Sequence, residues 1–251
     1  MTLNQRRTKI LEMIREDGHA KVQDLCRTFN VTDVTIRQDL EILEHEGYIQ
    51  REYGGAFLKN VGLFAKNISL SNQSNMAAKQ EIALKAVKYI EEGDSIILDS
   101  GSTTTEISRL LGEYKNLNVI TNSLNIALIL GENPGIDLIV TGGEFKAPTL
   151  SLTGQKAADF FHNIHVDKLF LATAGITPDL GLTYPSISDL VVKQAMVDSS
   201  DLTYLVADSS KIGKCAFANL GPVSIIDYFI TDNSITQEQM KLLQDSNIKL
   251  L

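Results

Sequence analysis

Apolar residues recur at helical spacing through the first fifty positions. Ile10, Leu11 and Ile14 stand among polar neighbours over residues 4–17, and the pattern stops at Asp17-Gly18, which predicts a one-sided helix. Val22, Leu25, Cys26 and Phe29 repeat the i, i+3, i+4, i+7 spacing over 21–29, with Asn30 suited to end a second, short helix. After the Asn30-Val31 turn, Thr32 or Asp33 can cap a third helix, on which Ile36, Leu40 and Leu43 share one stripe before Gly47. Three short helices with a tight second connection predict a helix-turn-helix. The run Tyr48 to Phe57 sets β-prone residues around Gly54-Gly55, a small hairpin that would form a wing. Residues 60–75 mix Asn, Ser and isolated apolar positions without a period and read as linker.

From Met76 the texture changes to helical stretches alternating with short apolar strands. The helical segment MAAKQEIALKAVKYIEE leads into strands expected at 95–99, 117–121, 136–141, 167–172, 203–207 and 226–230. Short, nearly all-apolar strands separated by helices are what a parallel sheet covered on both faces requires. The expected fold is therefore α/β in class. A winged helix-turn-helix over 1–58 and a linker over 59–75 precede an open, doubly wound α/β domain over 76–251. With 43% hydrophobic and 22% charged residues, the composition is that of an ordinary globular protein. No run of eighteen apolar residues occurs and the start MTLNQRRTKI lacks a secretion core, so a cytoplasmic chain without a membrane partner is expected. Cys26 and Cys215 fall in different domains and read as small core or surface residues.

The net charge of −8 argues at first sight against nucleic acid, since phosphates call for Lys and Arg. Residues 1–59, however, hold nine basic and ten acidic side chains, so most of the acidity lies in the second domain. DNA binding must then rest on local placement. At 100° per residue, the core stripe of the third helix leaves Val34, Gln38, Glu41 and His45 pointing away, flanked by Thr35 and Arg37. Gln38 can bond adenine, Arg37 a guanine or a phosphate, and Val34 a thymine methyl. Arg51 on the wing, with Arg6 and Arg7 on the first helix, would hold phosphates and so position the domain without specifying sequence. The same residues could equally be the solvated face of a plain three-helix unit.

The segment KVQDLCRTFNVTDVTIRQDLEILEHEGYIQREYGGA decides between these readings. Its T-I-R-x-D-L-x-x-L-E, the following Gly47 and R-x-Y-G-G-A resemble the N-terminal signature of the DeoR family of bacterial sugar-catabolism repressors. The resemblance implies a winged helix-turn-helix with its recognition helix over about 33–46 and operator double-stranded DNA as partner. Many members carry two consecutive arginines where this chain has Arg37-Gln38, which bears on the operator sequence.

In a doubly wound sheet, ligands gather beyond the carboxyl ends of the strands. The first strand runs into Asp99, Ser100, Gly101, Ser102, Thr103 and Thr104 ahead of a helix expected to begin with EISRLL. Such a loop offers close backbone approach, hydroxyls and a helix start to a phosphate, or else caps the helix and holds nothing. Thr121, Asn122, Gly142, Gly143 and Lys211 close other apolar runs, and Lys193 on DLVVKQAM could join them if it faced the cleft. No Walker loop or dinucleotide fingerprint occurs, so no cofactor is expected. His162 and His165, spaced i, i+3, lack further ligands for a metal.

This half also resembles the DeoR-family sensor domain, in the run K-x-x-I-A-x-x-A from Lys79, in G-D-S-I-I-L-D-S-G-S-T-T-T-E, V-I-T-N-S and Gly142-Gly143, and in G-L-T and A-D-S-S-K-I-G. That implies a fold similar to sugar-phosphate isomerases and a phosphorylated sugar as effector, while recognition helices placed in successive major grooves call for a homodimer or homotetramer. The loop Asp99 to Thr104, Thr121-Asn122, Gly142-Gly143 and Lys211 carry over as ligand residues, Lys193 less directly. The rival reading is an isomerase with an attached helical domain, in which Asp99 or Asp208 would serve as base.

Overall fold

The structure is a computed structural model and describes residues 3–17, 19–52, 54–58, 75–147, 149–244 and 248–251. The expected linker, 59–75, lies outside the described residues except for Asn75. The chain forms two compact units, one within residues 1–71 and the other holding 72–145 and 150–251.

In the first unit the three expected helices form as α1 (Leu3–Asp17), α2 (Val22–Phe29) and α3 (Asp33–His45). Asn30 ends α2 in the left-handed conformation, and the Thr32 hydroxyl caps α3 by accepting from the Thr35 N–H. The wing is β2 (Ile49–Glu52) and β3 (Gly55–Leu58), joined by a strand the pattern did not reveal, β1 (His19–Lys21). These strands lie antiparallel in the order β1-β3-β2. Gly55 makes the third strand possible, because a Cβ there would stand 2.5 Å from the Ala20 carbonyl oxygen. Ile10, Ile14, Leu25, Ile36, Leu40, Leu43 and Ile49 close the core beneath.

The second unit opens with α4 (Met76–Ala86), which ends in a 3₁₀ turn at 87–89 rather than running on to 92. There follow β4 (Ser95–Leu98), α5 (Ser102–Arg109), β5 (Leu117–Thr121), α6 (Leu124–Leu130) and β6 (Ile136–Val140). A hairpin of β7 (Glu144–Lys146) and β8 (Ser151–Thr153) leads to α7 (Gln155–Asp159) and β9 (Val166–Leu171). Next come β10 (Gly175–Thr177), β11 (Gly181–Tyr184), α8 (Ile187–Asp198), β12 (Ser200–Val206) and β13 (Ala218–Gly221). The chain closes with β14 (Tyr228–Ile230), α9 (Gln237–Gln244) and β15 (Lys249–Leu250). Seven strands pair in parallel in the order β15-β14-β12-β9-β4-β5-β6, as the expected α/β fold requires. The β7–β8 hairpin and a small antiparallel sheet, β10-β11-β13, were not anticipated.

Alternating side chains fill a core on each face of the sheet. Ile97, Ile120, Leu169 and Leu171 face one side, while Ile96, Leu98, Val119 and Phe170 face the other. Starting from β4, the chain builds outward through β5 and β6, then returns to the opposite side of β4 with β9. The order therefore reverses between β4 and β9, and the crevice at their carboxyl ends is where a doubly wound sheet takes its ligand.

Candidate functional sites: a DNA-reading face and an anion crevice

On α3 the core stripe is buried, and Val34 (65% exposed), Arg37, Gln38, Glu41 and His45 face outward as expected. Thr35 is half-buried, its hydroxyl 2.9 Å from that of Thr32. Arg37 Nε donates to Asp33 Oδ1 at 2.6 Å, one turn back on the same helix. Arg51 Nε donates to Glu44 Oε2 at 2.6 Å, and its backbone N–H to the other oxygen of that carboxylate at 2.8 Å, which ties the wing to the recognition helix. Arg6 and Arg7, expected as phosphate contacts, stand beside a carboxylate of the protein itself. Both converge on Asp39, a carboxylate on the inner side of α3 that is 1% exposed, and Arg6 Nε donates to it at 2.5 Å. A buried carboxylate requires a cation, so at least Arg6 is part of the domain's interior. Asp39 was missed because the apolar stripe alone does not reveal a polar residue placed among it.

In the second unit, α5 begins at Ser102, a turn earlier than EISRLL suggested, so Ser102, Thr103 and Thr104 form its first turn and only Asp99 to Gly101 is loop. Gly101 is the cap residue, and a Cβ there would meet the Ala172 Cβ at 2.7 Å, so glycine is required by the close approach of β9's end. The hydroxyls of Thr104 and Thr105 both donate to the Gly101 carbonyl, at 2.9 and 2.7 Å. The hydroxyls of Ser102 and Thr103 make no hydrogen bond among the described residues. They stand with the first-turn N–H groups at the positive end of the helix.

Asp99 is completely buried. It accepts from Lys193 Nζ at 2.7 and 2.6 Å and from the Ala172 N–H at 3.1 Å. Burial pushes its carboxyl above the usual range, against the opposing pull of Lys193. Lys193, only 5% exposed, lies 4.7 Å over the Tyr184 ring, whose hydroxyl donates to the Ala172 carbonyl at 2.7 Å. Burial likewise raises that phenol well above its ordinary value. Lys193, expected to join a ligand site if it faced the cleft, instead has Asp99 as its ion-pair partner. Lys193 and Asp99 neutralise each other, and the pair staples α8 to the end of β4.

Asn122 holds the next strand end in place. Its Oδ1 accepts from the Ser100 N–H at 2.9 Å, while its Nδ2 donates to the Leu152 carbonyl at 3.1 Å. The Thr121 hydroxyl donates to the Leu98 carbonyl at 2.7 Å and accepts from the Ser123 N–H at 3.0 Å, which fully engages it in joining β5 to β4. Gly143 has φ +132°, and a Cβ there would lie 2.7 Å from the Thr153 carbonyl oxygen, so this glycine is demanded by packing. Gly142 has open space around its Cα.

Beyond β12, Asp208 caps a single 3₁₀ turn, Ser209–Lys211, and Asn75 Nδ2 donates to Asp208 Oδ1 at 3.0 Å and to the Ser210 hydroxyl at 3.2 Å. Lys211 is half-buried and forms no ion pair among the described residues. Near it stands a residue that sequence reasoning did not select, Lys79 on α4, which is 4% exposed. Burial lowers its pKa, Asp208 and Glu106 oppose that, and the neighbouring positive charge of Lys211 adds to it. Lys79 and Lys211 thus both lie toward the crevice end of the sheet, with the Asp208 and Glu106 carboxylates acting on Lys79. Lys79 opens the motif quoted from the sequence, but its burial depends on how α4 packs, which spacing alone does not disclose.

A family described as the DeoR-like helix-turn-helix domain matches residues 6–60, and the DeoR C terminal sensor domain matches residues 74–233. The putative aga operon transcriptional repressor of Escherichia coli is 31% identical over 99% of this chain and 93% of its own length. The glycerol-3-phosphate regulon repressor of Escherichia coli is 29% identical over 100% of this chain and 99% of its own. Among solved structures, ribose 5-phosphate isomerase A from Methanocaldococcus jannaschii is 19% identical over 55% of each chain with a TM-score of 0.41, a likeness too slight to carry an argument about chemistry. Among the described residues no helix is long and apolar enough to cross a membrane.

Proposed function

As the chain belongs to the DeoR family of transcriptional regulators, we propose that it represses a carbohydrate-catabolism operon and leaves its operator when a phosphorylated sugar enters the crevice of the second unit. One observation carries the ligand half of this reading. At the topological reversal, the uncommitted hydroxyls of Ser102 and Thr103 stand on the first turn of α5, and Lys79 and Lys211 share the same end of the sheet. A phosphate brought there accepts from the helix start and sets its negative charge beside the two lysines. Asp99, Asn122 and Thr121 then act by holding the loop in shape, and Gly142 leaves room for the sugar.

On the DNA side, Gln38, Arg37 and Val34 meet base edges and Arg51 a phosphate. Two or more subunits set their recognition helices in successive major grooves, and the effector binds best to the arrangement in which those helices are wrongly spaced. A ligand without that preference would release nothing. The isomerase reading is disfavoured by family membership and by the carboxylates themselves. Asp99 is neutralised by Lys193, and Asp208 is engaged by Asn75 and by the Ser210 N–H, so neither is an idle base. The test is a mobility-shift assay of the full chain on DNA upstream of its own operon, together with turnover assays on a panel of sugar phosphates. Retarded DNA with no turnover is the expected result. Turnover without DNA binding would reverse the assignment.

A further inference from the structure

Arg6 and Arg7 are consecutive on α1, yet they receive unequal partners. Arg6 Nε hydrogen-bonds Asp39 Oδ2 at 2.5 Å, whereas Arg7 Nε stands 3.7 Å from Asp39 Oδ1, too far for a hydrogen bond. Among the described residues Arg7 Nε has no other acceptor, although the atom is buried. A single carboxylate balances one guanidinium. The cluster of Arg6, Arg7 and Asp39 therefore holds one positive charge in excess, at the junction of α1 with the recognition helix.

Burying a cation without a full partner is costly, and a buried donor left unbonded adds to the cost. Such an arrangement is favourable when a further acceptor arrives with the protein's target. An anionic acceptor would balance that charge, and it must reach a side chain that still keeps 23% of its surface, against 12% for Arg6. The phosphodiester of the DNA backbone meets both conditions, and the first helix of a helix-turn-helix crosses that backbone.

We propose that the two arginines have separate roles: Arg6 is an internal tie that keeps α1 on α3 through Asp39, and Arg7 is a DNA-phosphate ligand poised by the same carboxylate. The inference rests on the DNA-binding reading and divides a pair that the sequence treats as equivalent. Asp39 is the positioning residue. It prevents Arg6 from competing for the phosphate and draws Arg7 toward the helix that enters the groove.

The experiment measures operator affinity of the full chain against salt concentration, and the thermal midpoint, for the wild type and the variants Arg6→Gln, Arg7→Gln and Arg7→Lys. Each phosphate contact contributes about 0.9 to the slope of log K against log salt. Arg7→Gln is expected to lower the slope by about one contact and to leave the thermal midpoint unchanged or slightly raised. Arg7→Lys should retain the slope, and Arg6→Gln should lower the midpoint while the slope stays at the wild-type value. The proposal is overturned if Arg7→Gln keeps the wild-type slope or loses as much thermal stability as Arg6→Gln. A wild-type chain that does not retard operator DNA would instead refute the DNA-binding reading, so the two failures are told apart.

Discussion

Arg37 and Asp33 in the first unit and Lys193 and Asp99 in the second both pair at 2.6 Å, but the former side chains are each 57% exposed and the latter 6% and 0%. The same shortest separation therefore has different consequences. An exposed pair contributes under about 1 kcal/mol, so an arriving phosphate or base edge can take the arginine with little loss. Removing one partner of a buried pair leaves a charge stranded in the interior at a cost of about 3–5 kcal/mol. In the proposed function, the exposed pair on α3 keeps its charge within reach of DNA, whereas the buried pair serves as scaffold and the effector falls to Lys79, Lys211 and the start of α5.

Lys193→Met tests that contrast most severely. It should lower stability by about 3–5 kcal/mol, read by denaturant unfolding, and the double variant with Asp99→Asn should recover a good part of the loss. If Lys193→Met left stability intact and abolished only effector binding, Lys193 would be a ligand group after all. Next in size, Lys211→Ala or the combined Ser102→Ala and Thr103→Val should weaken sugar-phosphate binding at least ten-fold by calorimetry, with thermal midpoint and operator affinity unchanged. A fall in stability equal to that of Lys193→Met would place these residues in the scaffold. Gln38→Ala should cost about 1–3 kcal/mol in operator binding and relax preference at one base pair, measured against singly substituted operators. Equal weakening on every sequence would make Gln38 a backbone contact. The smallest effect is expected of Asp33→Asn, which removes the ion pair with Arg37 and a negative charge from the start of the recognition helix. Affinity for non-operator DNA should rise a few-fold at low salt, and a decrease would mean that Asp33 holds Arg37 in its working position.

The elements that hydrophobic periodicity governs were legible in the sequence: α1 to α3, the two wing strands and the central strands of the parallel sheet. What escaped has local physical reasons. β1 is three residues long and exists because Gly55 admits the Ala20 carbonyl, a tertiary event with no signature of its own. The residues at the strand ends were correctly located by chain position, but their roles depend on which way each side chain turns. Thr121 and Thr104 turn their hydroxyls to main-chain carbonyls, and Lys193 turns inward to Asp99. Lys79 and Asp39 are polar residues on buried helix faces, and a pattern that separates apolar from polar positions assigns both to solvent.

Operator occupancy of the full chain, followed by fluorescence anisotropy while a phosphorylated sugar and its dephosphorylated counterpart are titrated in parallel, bears most directly on the proposed regulation. At least one phosphorylated sugar of the panel should displace the DNA at a concentration where its unphosphorylated form does nothing, and Lys211→Ala should abolish the displacement while still binding operator. Displacement by the neutral sugar as readily as by the phosphate, or an undiminished response in Lys211→Ala, would contradict an anion-gated release.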